Sequence, residues 1–203
     1  MALTNTSALP KGTIITIIDG AFTQRLADNA TPEDAPSGTT FRKRDLKKGP
    51  NAGKEVREAR ADSLERNIIS SASFMTTEYG TNFMLNLIDE SEDSFQLQLP
   101  VESQFFSQFV KRIPNIDREK TVTFVIGKDT EKDRSFLYLS QEGHSVKMAY
   151  TKDNPNGIPQ PTQRPNGKWD WSAQEDFLYK KAEEYINELK VDDGSEFEEN
   201  VPF

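Results

Sequence analysis

The sequence predicts a mainly β protein, a barrel of five strands with one helix between the third and fourth. Three observations predict it. Several short segments alternate apolar and polar residues with a period of two, as in Phe95-Gln96-Leu97-Gln98-Leu99. Two segments carry strong helical spacing, one on each side of the last strands. Gly, Pro, Asn or Asp punctuates most of the gaps between these segments.

Thr13 to Arg25 is rich in β-branched residues and reads as a long first strand, bent or bulged at Gly20. Residues 26–66 read as a long polar insertion, with a short charged helix expected over Ala52 to Arg66. Asn67 to Tyr79 reads as strand, Gly80 as an interruption, and Thr81 to Asp89 as strand again, with Phe83, Leu85 and Leu87 on one face. Ser94 to Leu99 follows the turn Glu90-Ser91-Glu92-Asp93. Pro100 is expected to open an amphipathic helix, because a missing N–H costs little in a first turn. Val101, Phe105, Phe109 and Ile113 recur every four residues there, and Pro114 stops it. Lys120 to Gly127, Ser135 to Ser140 and Ser145 to Tyr150 read as strands. Residues 151–171 hold four Pro and two Asn-Gly pairs and read as a linker. Ser172-Ala173-Gln174-Glu175 is a capping box that starts a helix to Lys190, with Leu178, Ala182, Tyr185, Ile186 and Leu189 on one face. Residues 191–203 are too acidic and too poor in apolar side chains to fold alone, so a disordered tail is expected.

Counted in sequence, the strands and the helix follow the order of an OB-fold over residues 1–150. That fold is a partly open barrel whose ligands meet one sheet face and the loops after its first and fourth strands. The basic insertion, about residues 26–66, would occupy the first of those loops. Phe83, Phe95, Phe105, Phe109 and Phe124 are expected in its core.

Composition removes much chemistry. The 203 residues carry a net charge of −8, with 34% hydrophobic and 29% charged residues, no Cys and one His. Thiol chemistry and Cys-bound metals are excluded, and His144 alone cannot build a two-His metal site. No cofactor or metal is expected. The aliphatic run Ile14 to Ile18 is far too short to span a bilayer. Met1 to Gly12 lacks the basic start and apolar middle of a signal peptide, so a cytoplasmic location is expected. Gly49-Pro50-Asn51-Ala52-Gly53-Lys54-Glu55 fails the phosphate-loop pattern in spacing and in its final residue. No nucleophile–base pair can be named, so catalysis is not expected. Charge is segregated. Phe41 to Arg60 holds eight bases against three acids, and Ala182 to Phe203 holds eight acids against one base. A basic segment and an acidic arm on one chain point to a polyanion site and a separate interaction element.

The chain ends Glu198-Glu199-Asn200-Val201-Pro202-Phe203. Phe203 suits an apolar pocket with a basic rim for its carboxylate, and Pro202 limits the entropy lost on docking. This tip resembles the acidic tip of bacterial and phage single-stranded DNA-binding proteins, which commonly ends in Asp residues followed by Ile-Pro-Phe. Glu for Asp, Asn200 within the acidic run and Val201 for Ile are departures. The resemblance covers the tip and the order of elements. The tail lacks the long Gly/Gln/Pro-rich linker of bacterial members, which favours a phage-type member. It implies sequence-independent binding of single strands in replication, recombination or repair. It also implies recruitment of replication or repair proteins through Glu198, Glu199, Val201, Pro202 and Phe203.

Single-strand binding needs cations along the backbone and aromatic faces for bases. The candidate cations are Arg42, Lys43, Arg44, Lys47, Lys48, Lys54, Arg57 and Arg60 in the insertion, and Lys128, Lys132 and Arg134 in the second loop. The candidate stacking residues are Phe22, Phe74, Tyr79, Phe136, Tyr138, Trp169 and Trp171. Strand phase turns Phe136 and Tyr138 away from the core side occupied by Leu137 and Leu139. The rival expectations are a protein-interaction adaptor and an acidic nucleic-acid mimic. Oligomeric state is not legible in the sequence.

Overall fold

The segment expected as one long strand folds back on itself. Strands β1 (Thr13–Ile18) and β2 (Ala21–Arg25) form an antiparallel hairpin, pairing Ile18 with Ala21. The two turn residues both take positive φ, Asp19 at 49° and Gly20 at 66°. Asp-Gly is a favoured pair for such a two-residue turn, so the glycine marks a reversal rather than a bend. The computed structural model describes residues 13–47, 49–129 and 131–192.

Within the basic insertion, the stretches that carry most of the bases are strands. Strands β3 (Thr40–Asp45) and β4 (Glu55–Ala61) pair with each other, and β4 pairs with β2. The helix expected over Ala52 to Arg66 is absent. That segment lacked a wide apolar stripe, and Val56 and Ala59 are buried by neighbouring strands instead. Strand β5 (Ser63–Thr77) is long and carries a register shift between Ile69 and Ser71. A two-residue turn joins it to β6 (Gly80–Ile88), so Gly80 starts a strand instead of interrupting one. Strand β7 (Ser94–Pro100) ends on the proline that was expected to open the helix. Helix α1 (Gln104–Val110) starts later, with Ser103 Oγ accepting a hydrogen bond from Phe106 N. It is shorter than its apolar spacing, and Pro114 lies in a separate single 3-10 turn. Strands β8 (Val122–Asp129) and β9 (Arg134–Gln141) form the next hairpin. Of the strand expected over Ser145 to Tyr150, only Ser145 is strand, in β10 (His144–Ser145). The chain then leaves the sheet, with Ala149 N bonded to Lys111 O. The expected linker holds a small hairpin of β11 (Thr162–Gln163) and β12 (Trp169–Asp170), and Ile158 within it is buried. Helix α2 (Ser172–Asp192) follows.

The protein is mainly β. One ten-stranded sheet runs β10-β9-β8-β5-β6-β7-β1-β2-β4-β3 and is not closed. Within it β1 and β7 run parallel, while the other pairs are antiparallel. The core lies on one sheet face under both helices. Phe83, Phe109 and Phe124 are fully buried there, with Phe95 close to it and Phe105 partly buried. Helix α2 buries the expected face, and its Tyr185 ring meets Phe109 at 6.2 Å between centroids.

The free edge of β9 shows why an open sheet can remain single. Leu137 N donates to Gln108 Oε1 at 2.6 Å, and Gln104 Nε2 donates to Ser135 O at 2.8 Å. Farther along, Leu139 O accepts from Val146 N. Glutamines of α1 thus satisfy edge groups that would otherwise await another strand. Gln108→Ala is expected to cost about 1–2 kcal/mol, because a partly buried N–H loses its acceptor. Urea unfolding measures this. An unchanged midpoint would mean that water replaces the amide without loss.

Candidate nucleic-acid interface

The β8–β9 hairpin exposes the surface with the clearest chemistry. Phe124 and Ile126 face the core beside Leu139 and Leu137. Alternation therefore turns Thr123, Val125 and Gly127 outward with Ser140, Tyr138 and Phe136. Tyr138 is 47% exposed, and Phe136 is half-buried beside it with ring centroids 6.4 Å apart. Gly127 provides the bed for the Tyr138 ring. A Cβ there would stand 2.5 Å from Tyr138 Cε2. Arg134 continues the phase of Phe136 and Tyr138 and is exposed, without an ion pair among the described residues, whereas the exposed Lys128 takes the opposite phase with Ile126 and meets the Asp19–Gly20 turn. Asp129 is occupied by the turn, where its Oδ1 accepts from the Glu131 and Lys132 amides. Lys132 Nζ lies 4.0 Å from Asp129.

The bases of the predicted insertion are mostly engaged within the protein. Glu58, with a side chain only 4% exposed, sits between two arginines. Arg42 Nη2 reaches Glu58 Oε2 at 2.7 Å, and Arg44 Nη2 reaches Oε1 at 2.6 Å. Burial pushes the Glu58 carboxyl up, but the hydrogen bonds from Arg44 and Arg42 outweigh it and hold it below the usual carboxylate range. Arg60 donates to the carbonyls of Ile18 and Asp19, and Arg57 to Ala30 O. Lys54 pairs with Asp28 at 2.7 Å and Lys43 with Glu55 at 3.5 Å. Lys47 is exposed, and Lys48 lies outside the described residues. The expected row of free phosphate ligands is therefore largely a structural ion-pair network. A sequence count of bases cannot distinguish the two.

Two expected stacking residues are also corrected. Phe22 is 2% exposed, because the tight turn at Asp19-Gly20 puts it on the core face opposite Ile17. Phe74 packs on the core and stacks on Tyr179 of α2, with centroids 4.3 Å apart and planes 8° from parallel. Tyr79 is 79% exposed in the β5–β6 turn. Trp169 and Trp171 are 57% and 47% exposed at the β12–α2 junction. The tip residues Glu198, Glu199, Val201, Pro202 and Phe203 lie outside the described residues.

The Asp19–Gly20 turn brings the two predicted basic regions together. Arg42 Nη1 bonds Asp19 Oδ2 at 3.0 Å, and this hydrogen bond holds the Asp19 carboxyl below its ordinary value. On its other side the turn meets the second loop. A Cβ on Gly20 would clash with Ser135 Oγ and stand 2.9 Å from Lys128 Cε. Comparison with family models, curated proteins and solved structures finds no match for this chain. Among the described residues, no group of three or more His, Asp or Glu side chains is placed to hold a metal ion. No helix there is long and apolar enough to cross a membrane.

Sequence reasoning passed over one cation, Lys111. It follows α1 directly and lines clefts beside Trp171 on both sides. Its place after an apolar run carried no signal, since only the docking of the β12–α2 junction gives it indole neighbours.

Proposed function

We propose that the chain binds single-stranded nucleic acid without sequence preference, through the outer face of the β8–β9 hairpin. The observation that carries this reading is the pair Phe136 and Tyr138, turned outward over Gly127 with the exposed Arg134 in the same phase. Aromatic faces beside cations suit unpaired bases on a phosphate backbone.

In this reading the OB-type unit is β5, β6, β7, α1, β8 and β9. That is five strands with a helix between the third and fourth, and β5 pairs with both β6 and β8. The first strand of the barrel then moves from Thr13–Arg25 to β5. Strands β1 to β4 become an added sheet beside β7. Strands two and three are β6 and β7, whose outer side carries a run of side-chain amides. Gln96 Nε2 donates to Asn86 Oδ1 at 2.9 Å, and Asn86 Nδ2 to Ser71 Oγ at 2.6 Å. Such groups can hydrogen-bond phosphate and sugar oxygens as well as base edges. Residues 198–203 would recruit replication or repair proteins.

The test is a fluorescence titration with oligo(dT) and with a duplex of equal length, at two salt concentrations. Single strands are expected to bind much more tightly, since stacking requires unpaired bases. Affinity is expected to fall with salt, with a log–log slope of roughly −0.7 per phosphate contact. Equal affinity for both nucleic acids, or none for either, rejects the reading and favours a protein-binding adaptor or an acidic mimic.

A further inference from the structure

Two adjoining clefts meet at Lys111, the first between α1 and the start of α2 and the second between the 150–161 segment and the β12–α2 junction. Their volumes are about 630 and 420 Å³. Both lie within the range of about 300–1,000 Å³ usual for small-ligand sites. They share Lys111, Trp171 and Gln174. The first begins at Arg134 and Gln104, beside the β8–β9 hairpin, and the second continues to Trp169. Exposed indoles on an ordered surface leave apolar area in water and commonly mark a contact site.

Lys111 differs from the bases of the β3–β4 pair. It is half-buried, and burial pushes its ammonium down from the ordinary lysine value, with no carboxylate of the described residues acting on it. Glu102 and Glu175 also line the first cleft, and both are exposed to water, which screens their charge. A desolvated cation in clefts that the indoles also line, without a counter-charge among the described residues, suits a phosphate, which would supply one. Its neighbours supply flat apolar faces, which bases would cover.

We infer that this Lys111–Trp171 groove is a second subsite for the same single strand, taking a phosphate on Lys111 and Arg134 and bases against Trp171 and Trp169. The inference rests on the single-strand reading above. It adds a path: the strand leaves Phe136 and Tyr138, passes Arg134 and crosses the end of α1 into the groove. A short oligonucleotide fills the hairpin face alone, and a longer one reaches the groove.

The experiment uses the full chain and two oligo(dT) probes, about 5 and about 15 nucleotides long, near the two ends of the usual range of site sizes for such domains. Lys111→Gln is expected to weaken the longer probe about tenfold and to leave the shorter one unchanged. Tyr138→Ala is expected to weaken both. Trp171→Phe is expected to remove most of the additional fluorescence quenching that the longer probe produces. Thermal melting of each variant checks folding, and Lys111→Gln should not lower it, because it removes a desolvated charge. A Lys111→Gln variant that binds both probes like the native chain, or weakens both equally, overturns the groove and leaves the hairpin face standing. A native chain that binds neither probe overturns both.

Discussion

Replacing Phe136 and Tyr138 together by Ala is expected to weaken single-strand binding by about 100-fold. Each base–aromatic stack contributes roughly 1–3 kcal/mol, and the two rings touch, so their effects will not simply add. Stability should change little, since Tyr138 lies largely outside the core and Phe136 only partly within it. The pair of measurements is a titration and a melting curve on the same variant. Lost affinity with an unchanged melting temperature supports a contact surface. Unchanged affinity would move the site elsewhere, whatever the melting curve shows. Ring-preserving changes supply the control: Tyr138→Phe should retain most of the binding, because the face rather than the hydroxyl makes the stack.

Glu58→Ala is expected to cost about 3 kcal/mol at neutral pH, the scale of breaking a buried ion pair from one side. Arg42 and Arg44 would lose their shared carboxylate while their side chains remain only a quarter exposed. The pH dependence has a definite sign. The Glu58 carboxyl is held below its ordinary value of 4.5 in the folded chain. Its contribution is therefore present above that ordinary value and is lost as pH falls through the lowered one. Urea unfolding from neutral to acid pH should show native and variant stabilities converging at the acid end. A constant gap would mean that the loss comes from cavity or strand effects rather than from charge. Glu58→Gln refines the point, because it keeps the volume and removes the ionisation.

What was legible in the sequence follows where burial comes from. The alternation in β6, β7, β8 and β9 is written in local apolar residues, so their faces could be read one strand at a time. The outward Phe136 and Tyr138 followed from that phase alone. Strands β3 and β4 were invisible for the opposite reason. Besides Val56 and Ala59, the buried residue there is Glu58, which meets Arg42 and Arg44 across a strand pair, and a charged residue buried by partners 14 and 16 positions away resembles a solvated one. Phe22 is not legible because a bend and a tight reversal at Asp19-Gly20 give opposite phases to the residues beyond it. Helix α1 was overextended because Val101 and Ile113 also face the core from outside the helix. Lys111 acquires its surroundings from residues 58 to 63 positions later, and no local pattern carries that.

The parallel register of β1 on β7 has a consequence for the order of assembly. It joins Thr13 to Phe95 and Thr16 to Gln98, across more than eighty positions. The β5–β6, β6–β7 and β8–β9 pairings each close over a short turn or loop. Closing a long loop costs chain entropy before any contact repays it, so low-separation hairpins form first. The β5–β7 meander must exist before β1 has an edge to join, and β2, β4 and β3 attach through β1. During synthesis strands β1 to β4 therefore wait, unpaired with the β5–β7 meander, until residue 98 has left the ribosome. The many charges of β3 and β4 are well suited to that interval, since they keep the waiting segment in water and out of premature association.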